Sequence, residues 1–151
     1  MTQTPHRERS LVTTAAQVVG AVFLLVGILG FIPGVTSGYG SLTFAGHMSG
    51  AKLLGIFQVS ILHNIVHLLF GVAGLVMGRR ADSARTFLVG GGVVYLVLWI
   101  YGLLTSDISP ANFVPLNTAD DWLHLVLGIG MIALGVLLPG RRVHSGHSTR
   151  T

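Results

Sequence analysis

The chain has 151 residues, of which 51% are hydrophobic and 9% charged, with no cysteine and a formal net charge of +4. A soluble surface normally carries about 25% charged residues, so the composition excludes an ordinary soluble domain. The missing cysteine excludes disulfides, thiol catalysis and Cys-ligated zinc or iron–sulfur centres. A pI near 10.4 does not argue for nucleic acid, because the basic residues are distributed by topology and form no single patch.

Residues 1–10 form a short tail containing Arg7 and Arg9. Four apolar runs follow, each about the 20 residues a helix needs to cross a bilayer. Span one covers about 11–32 and is stopped by Pro33-Gly34. It is too long for the apolar core of a signal peptide and has no A-x-A site after it, so it reads as a retained anchor. The segment 34–49 carries turn residues, aromatics and His47, which reads as a surface histidine. Span two covers about 50–77 and is long enough to tilt or to start outside the hydrocarbon. Span three covers about 86–104 and contains the Gly90-Gly91-Gly92 run, a sign of close helix crossing or a kink. Gly74-x-x-x-Gly78 in span two reads as a packing face. Tyr95, Trp99 and Trp122 read as core or interfacial anchors. Span four covers about 118–138, and Thr118 with Asp121 fits a capping box at its start. Residues 140–151 form a basic tail, with His144 and His147 solvated like His6.

Eight of the nine basic residues lie beside the ends that four spans would place on one side; Lys52 falls on the other. The positive-inside rule makes the basic side cytoplasmic, with both termini inside. The fold class is therefore all-α, a membrane four-helix bundle with both termini cytoplasmic.

Span two contains HLLFGVAGL from His67, and span four contains HLVLGIGMIAL from His124. Aligning these histidines pairs Gly71 with Gly128, Asn64 with Asp121 and His63 with Asp120. The bundle then reads as two tandem helical hairpins, with spans two and four adjoining near a pseudo-two-fold axis. Counting back from the arginine pairs instead sets His124 level with His63, a discrepancy of about one turn.

His63 and His67 are four apart, so a helix puts them on one face, about 40° and roughly 6 Å apart. Asp120 and His124 repeat that spacing, and Asp121 is three before His124. Ionisable residues inside a membrane face the bundle interior or a cavity and are functional candidates by default. The candidate polar site is His63, Asn64, His67, Asn117, Asp120, Asp121 and His124, between spans two and four, with Gln58 and Ser60 as outer partners. Four readings fit. The residues are structural hydrogen-bonding groups between helices; or His63, His67, His124 and Asp120 ligate a metal; or His124 with one of the other two holds haem; or the site is a proton relay or small-ligand pocket.

The stretches FLLVGILGFIPG, HNIVHLLFGVAGL, VVYLVLWIYGL and ANFVPLNTADDWLHLVLGIGMIALG resemble the bacterial, mainly actinobacterial, membrane-protein family called domain of unknown function 4383. The resemblance runs from about residue 11 to 139, and His63, Asn64, His67, Asn117, Asp120 and His124 match its most specific parts. It implies a four-helix integral membrane protein and no activity. The expectation is a non-enzymatic protein that binds a ligand or partner, either another membrane protein or a second copy. The alternatives are a metal- or haem-binding redox protein and a structural or assembly subunit.

Overall fold

A computed structural model describes residues 10–105 and 110–140. The expectations placed on Arg7, Arg9, Arg141, Arg142, Arg150 and the tail histidines lie outside the described residues. The chain is a four-helix bundle of α1 (Leu11–Leu29), α2 (Ile61–Met77), α3 (Ala81–Leu104) and α4 (Thr118–Leu137). Between α1 and α2 lies a small antiparallel sheet, β1 (Thr36–Ser37), β2 (Lys52–Leu53) and β3 (Phe57–Gln58), in that spatial order. This sheet and its loops cap one end of the bundle.

Ser10 starts α1 by accepting from Thr13 N. The helix closes at Leu29, before Pro33-Gly34 is reached. Thr36 explains the early end: its hydroxyl donates to Leu29 O at 3.1 Å and its amide to Ile32 O at 3.0 Å. Those carbonyls are thereby satisfied without another helical turn.

The second helix departs from expectation. It covers only 61–77 of the apolar run 50–77. Residues 52–58 form a hairpin turned at Leu54 and Gly55, which have φ of 53° and 74°. A right-handed helix cannot pass through two left-handed residues. Helix α3 instead begins earlier than expected, at Ala81, behind the N-cap Arg80. Its Arg85 donates to Gly135 O at 2.8 Å and to Leu138 O at 3.0 Å, satisfying orphan carbonyls at the end of α4. A guanidinium suits that position, because the helix dipole is negative there. The capping box of α4 is Asn117 with Asp120, one residue before the expected pair.

Helices α1, α3 and α4 are long and apolar enough to cross a membrane; α2 has 17 residues and is shorter. All four helices turn large apolar residues outward, including Val18, Leu25, Leu69, Val72, Val97, Leu103, Val126 and Ile129.

Packing rests on glycine. A Cβ on Gly20 would lie 2.8 Å from Leu75 N and 2.9 Å from Gly71 O, so α1 and α2 meet backbone to backbone. A Cβ on Gly92 would lie 2.7 Å from Gly128 O, so α3 and α4 meet the same way. Other positions match too. Gly78 sits on Gln17 and Gly135 on Val89; Gly30 sits under the Asn64 side chain and Gly102 under that of Asp121. Each of these contacts in the first hairpin thus has its counterpart in the second.

Phe23 and Tyr95 occupy corresponding positions in α1 and α3. Their rings stack on each other, with centroids 5.5 Å apart and planes 2° apart. A position that touches its own counterpart marks a two-fold arrangement. The axis therefore passes between α1 and α3. The expected meeting of spans two and four at the axis is corrected: α2 and α4 form the long diagonal of the bundle, and α1 with α3 the short one. The physical reason is that the glycine faces of α2 and α4 are used within their own hairpins.

Substituting Ala for Gly20 or Gly92 must push helices apart, because the obstacle is backbone, and is expected to cost about 1–3 kcal/mol. Gly90 and Gly130 face open space. Ala there should be neutral or stabilise by up to about 1 kcal/mol. Unfolding of the purified variants in detergent checks both; equal effects at the four positions would refute the packing scheme.

Candidate functional site

Helices α2 and α4 start at the cap end with the same local logic. Ser60 Oγ accepts from His63 N at 3.1 Å, and Asn117 Oδ1 accepts from Ala119 N at 2.9 Å and Asp120 N at 3.0 Å. The third helical residue is His63 in one and Asp120 in the other. That single difference sends the two sites in different directions. Asp120, 2% exposed, returns its Oδ2 to Asn117 N at 3.0 Å and accepts from Gln58 N at 3.0 Å. Asn117 Nδ2 also donates to Ile56 O at 2.8 Å. The start of α4 is thus bonded to the β2–β3 hairpin.

His63 makes no such return bond. Its ring stacks on His67, with centroids 4.3 Å apart and planes 4° apart. His67 Nδ1 lies 3.0 Å from His63 O. A carbonyl oxygen can only accept, so this nitrogen carries the proton, and in the neutral ring Nε2 is left as an acceptor. His67 also meets the edge of Phe23 at 5.6 Å, as His124 meets Tyr95 at 5.1 Å. These matched contacts set His124 in register with His67, which resolves the one-turn discrepancy. His124 is 3% exposed, and its Nδ1 has no hydrogen-bond partner among the described residues.

His63, His67 and His124 line one cavity of about 270 Å³. Its walls come from α2 and α3, through Val66, Phe70, Val94, Tyr95 and Leu98, and its roof is Phe113–Pro115. Helices α2 and α3 meet below it, where Phe70 packs on Phe87 and lies against Gly91. The cavity therefore lies between α2 and α3, with His124 reaching in from α4, and not between α2 and α4 directly. The roof is held down: Tyr101 Oη donates to Ala111 O and accepts from Phe113 N at 2.7 Å, and Phe113 O accepts from Gly46 N at 2.7 Å.

The rest of the expected site is elsewhere. Asn64 is buried between α1 and α2 under Gly30, and neither atom of its amide has a partner among the described residues. Asp121 leans on Gly102. Gln58 Nε2 donates to His47 O at 3.3 Å and Ser49 O at 2.7 Å. The proposed metal set is not assembled: among the described residues no group of three or more His, Asp or Glu is arranged to hold a metal ion. The cause is local. Asp120 is engaged by backbone amides, and two parallel stacked imidazoles do not converge their nitrogens on one point.

The sequence model of one family, described as "Domain of unknown function (DUF4383)", matches residues 13–137. The chain belongs to that family. No curated protein and no solved structure matches it. The DUF4383 match spans all four helices and both hairpins, so the family's unit is the whole bundle.

Sequence reasoning missed the α3 wall of the DUF4383 cavity. Tyr95 was legible only as a core or interfacial aromatic, yet it lies on the axis and on the cavity. The signal was its match to Phe23, which appears once the glycines of α1 and α3 are aligned. Of the four readings open to Asp120, from structural hydrogen bonding to metal ligation, its bonds to Asn117 N and Gln58 N match the structural one. Asp120→Ala leaves two buried amides without an acceptor and is expected to cost about 2–4 kcal/mol; Asp120→Asn keeps an acceptor and should cost about 1 kcal/mol. Denaturation of both variants checks this, and an Asp120→Ala protein as stable as the parent would contradict the clasp.

Proposed function

We propose that this DUF4383 protein is a four-span protein of the bacterial cytoplasmic membrane, with both termini on the cytoplasmic side, that binds a small, mostly apolar molecule in the histidine-lined cavity. The reading is non-enzymatic. The outward apolar residues on all four helices support the membrane setting, including that of α2. A 17-residue helix spans about 25 Å, near the lower limit for a bilayer core. The cap then lies on the outer side.

The observation that carries the binding reading is the cavity itself. Volumes of a few hundred Å³ with apolar walls and a few convergent polar groups are what small-molecule sites look like. Purely structural histidines would spend their ring nitrogens on neighbouring helices, whereas His124 Nδ1 has no such partner among the described residues. His67 lines the cavity with Nε2 left as an acceptor, and a bound hydroxyl donating to it would contribute about 0.5–1.5 kcal/mol.

The test is titration of the full-length protein in lipid nanodiscs with p-cresol, following the imidazole nitrogen signals by NMR. Saturable shifts at His67 and His124 are expected, and Leu98→Trp, which fills the cavity, should abolish them. No saturable shift in the parent protein would overturn the reading. A carboxy-terminal reporter found outside would overturn the orientation.

A further inference from the structure

The two halves of the bundle share their packing but not their seams. The seam between α1 and α4 is closed at the cap end. Asp120 and Asn117 bond β3 and the turn before it, while Val26 and Leu29 of α1 pack with Ala51, Leu53 and Val59 of the cap. The matching seam between α2 and α3 receives no sheet among the described residues; the second hairpin's shorter connection lays only Phe113–Pro115 over it. There the cavity remains.

Two residues tell where it opens. Val66 of α2 and Val94 of α3 both line the cavity, and both are 45% exposed. A residue that is at once cavity wall and outer surface marks a mouth. This mouth faces sideways, on the flank where Leu69 and Val97 also point outward. Water offers nothing to such lips; lipid chains do.

The interior is chemically different from its mouth. It is lined by His63, His67 and His124, with Nε2 of His67 left as an acceptor, and by the stacked imidazoles and Phe70. An apolar cavity of about 150 Å³ takes up benzene, so one of 270 Å³ holds a substituted six-membered ring and little more. We infer that the cavity takes, sideways from the bilayer, the ring head of a lipid-phase amphiphile bearing a hydroxyl, as in a quinol or prenylated phenol, and leaves its chain between Val66 and Val94. The inference rests on the binding reading above and adds the ligand class and the route.

The test uses the full chain in nanodiscs with three probes: p-cresol, 4-dodecylphenol and 1-phenyldodecane. 4-Dodecylphenol is expected to displace p-cresol, with its methylenes giving NMR cross-peaks to the Val66 and Val94 methyls and its ring to His67 and His124. 1-Phenyldodecane lacks the hydroxyl and should bind about tenfold more weakly, the worth of one good hydrogen bond. Val94→Trp obstructs the mouth and should weaken 4-dodecylphenol at least about tenfold more than it weakens p-cresol. The wild-type cross-peaks decide the matter if that variant does not fold. Should p-cresol bind while 4-dodecylphenol does not compete, or its chain run beside Phe113 instead, the sideways route is overturned and the binding reading stands. Equal binding of 1-phenyldodecane overturns the hydroxyl-bearing class. Failure of p-cresol to bind removes the binding reading and this inference with it.

Discussion

Backbone contact at Gly20 with Gly71, and at Gly92 with Gly128, is the constraint from which the rest of the bundle follows. With no side chain between them, each pair of helices approaches as closely as two helices can. A close approach fixes azimuth as well as distance. It turns Phe23 and Tyr95 to the bundle centre, where they stack, and it puts His67 and His124 against them. The imidazoles are therefore held by aromatic edges on one side and face the cavity on the other. Association of apolar helices in lipid gains little from the hydrophobic effect, so this kind of contact must supply most of the specificity.

Function, on this account, comes from where the two-fold fails. The hairpins agree at their glycines, at their N-caps and at the His67/His124 pair. They disagree at the third residue of α2 and α4. An aspartate there clasps the cap to α4 and closes one seam. A histidine at the matching place leaves the other seam unclasped and adds a ring to the cavity wall. The cap grows out of the first hairpin but is bonded to the second, so it also ties the halves together.

Much of this was legible in the sequence. Apolar runs gave away four helices because 20-residue runs have few alternatives, and the pairing of Gly71 with Gly128 and His67 with His124 exposed the tandem hairpins. The cap was not legible. Strands β2 and β3 are two residues each, set in apolar surroundings that read as a continuing helix, and only the turn at Leu54-Gly55 breaks it. The identity of the axis was hidden for another reason. Which helices meet at the centre depends on which glycine faces are already occupied, and that is a property of the assembled bundle. The site was half legible: spacing put three histidines on two inward faces, but Asp120 has the same chemistry as a metal ligand and as a capping carboxylate, and spacing does not choose between them.

The central claim is that the two hairpins pack through Phe23 and Tyr95 with His67 and His124 on opposite flanks of that stack. Magic-angle-spinning NMR of the full-length protein in bilayers, labelled at His, Phe and Tyr, tests it directly. The account predicts ring-to-ring cross-peaks for Phe23 with Tyr95, Phe23 with His67 and Tyr95 with His124. Absence of the Phe23–Tyr95 contact, with the His67 and His124 rings instead touching lipid acyl chains, would contradict it.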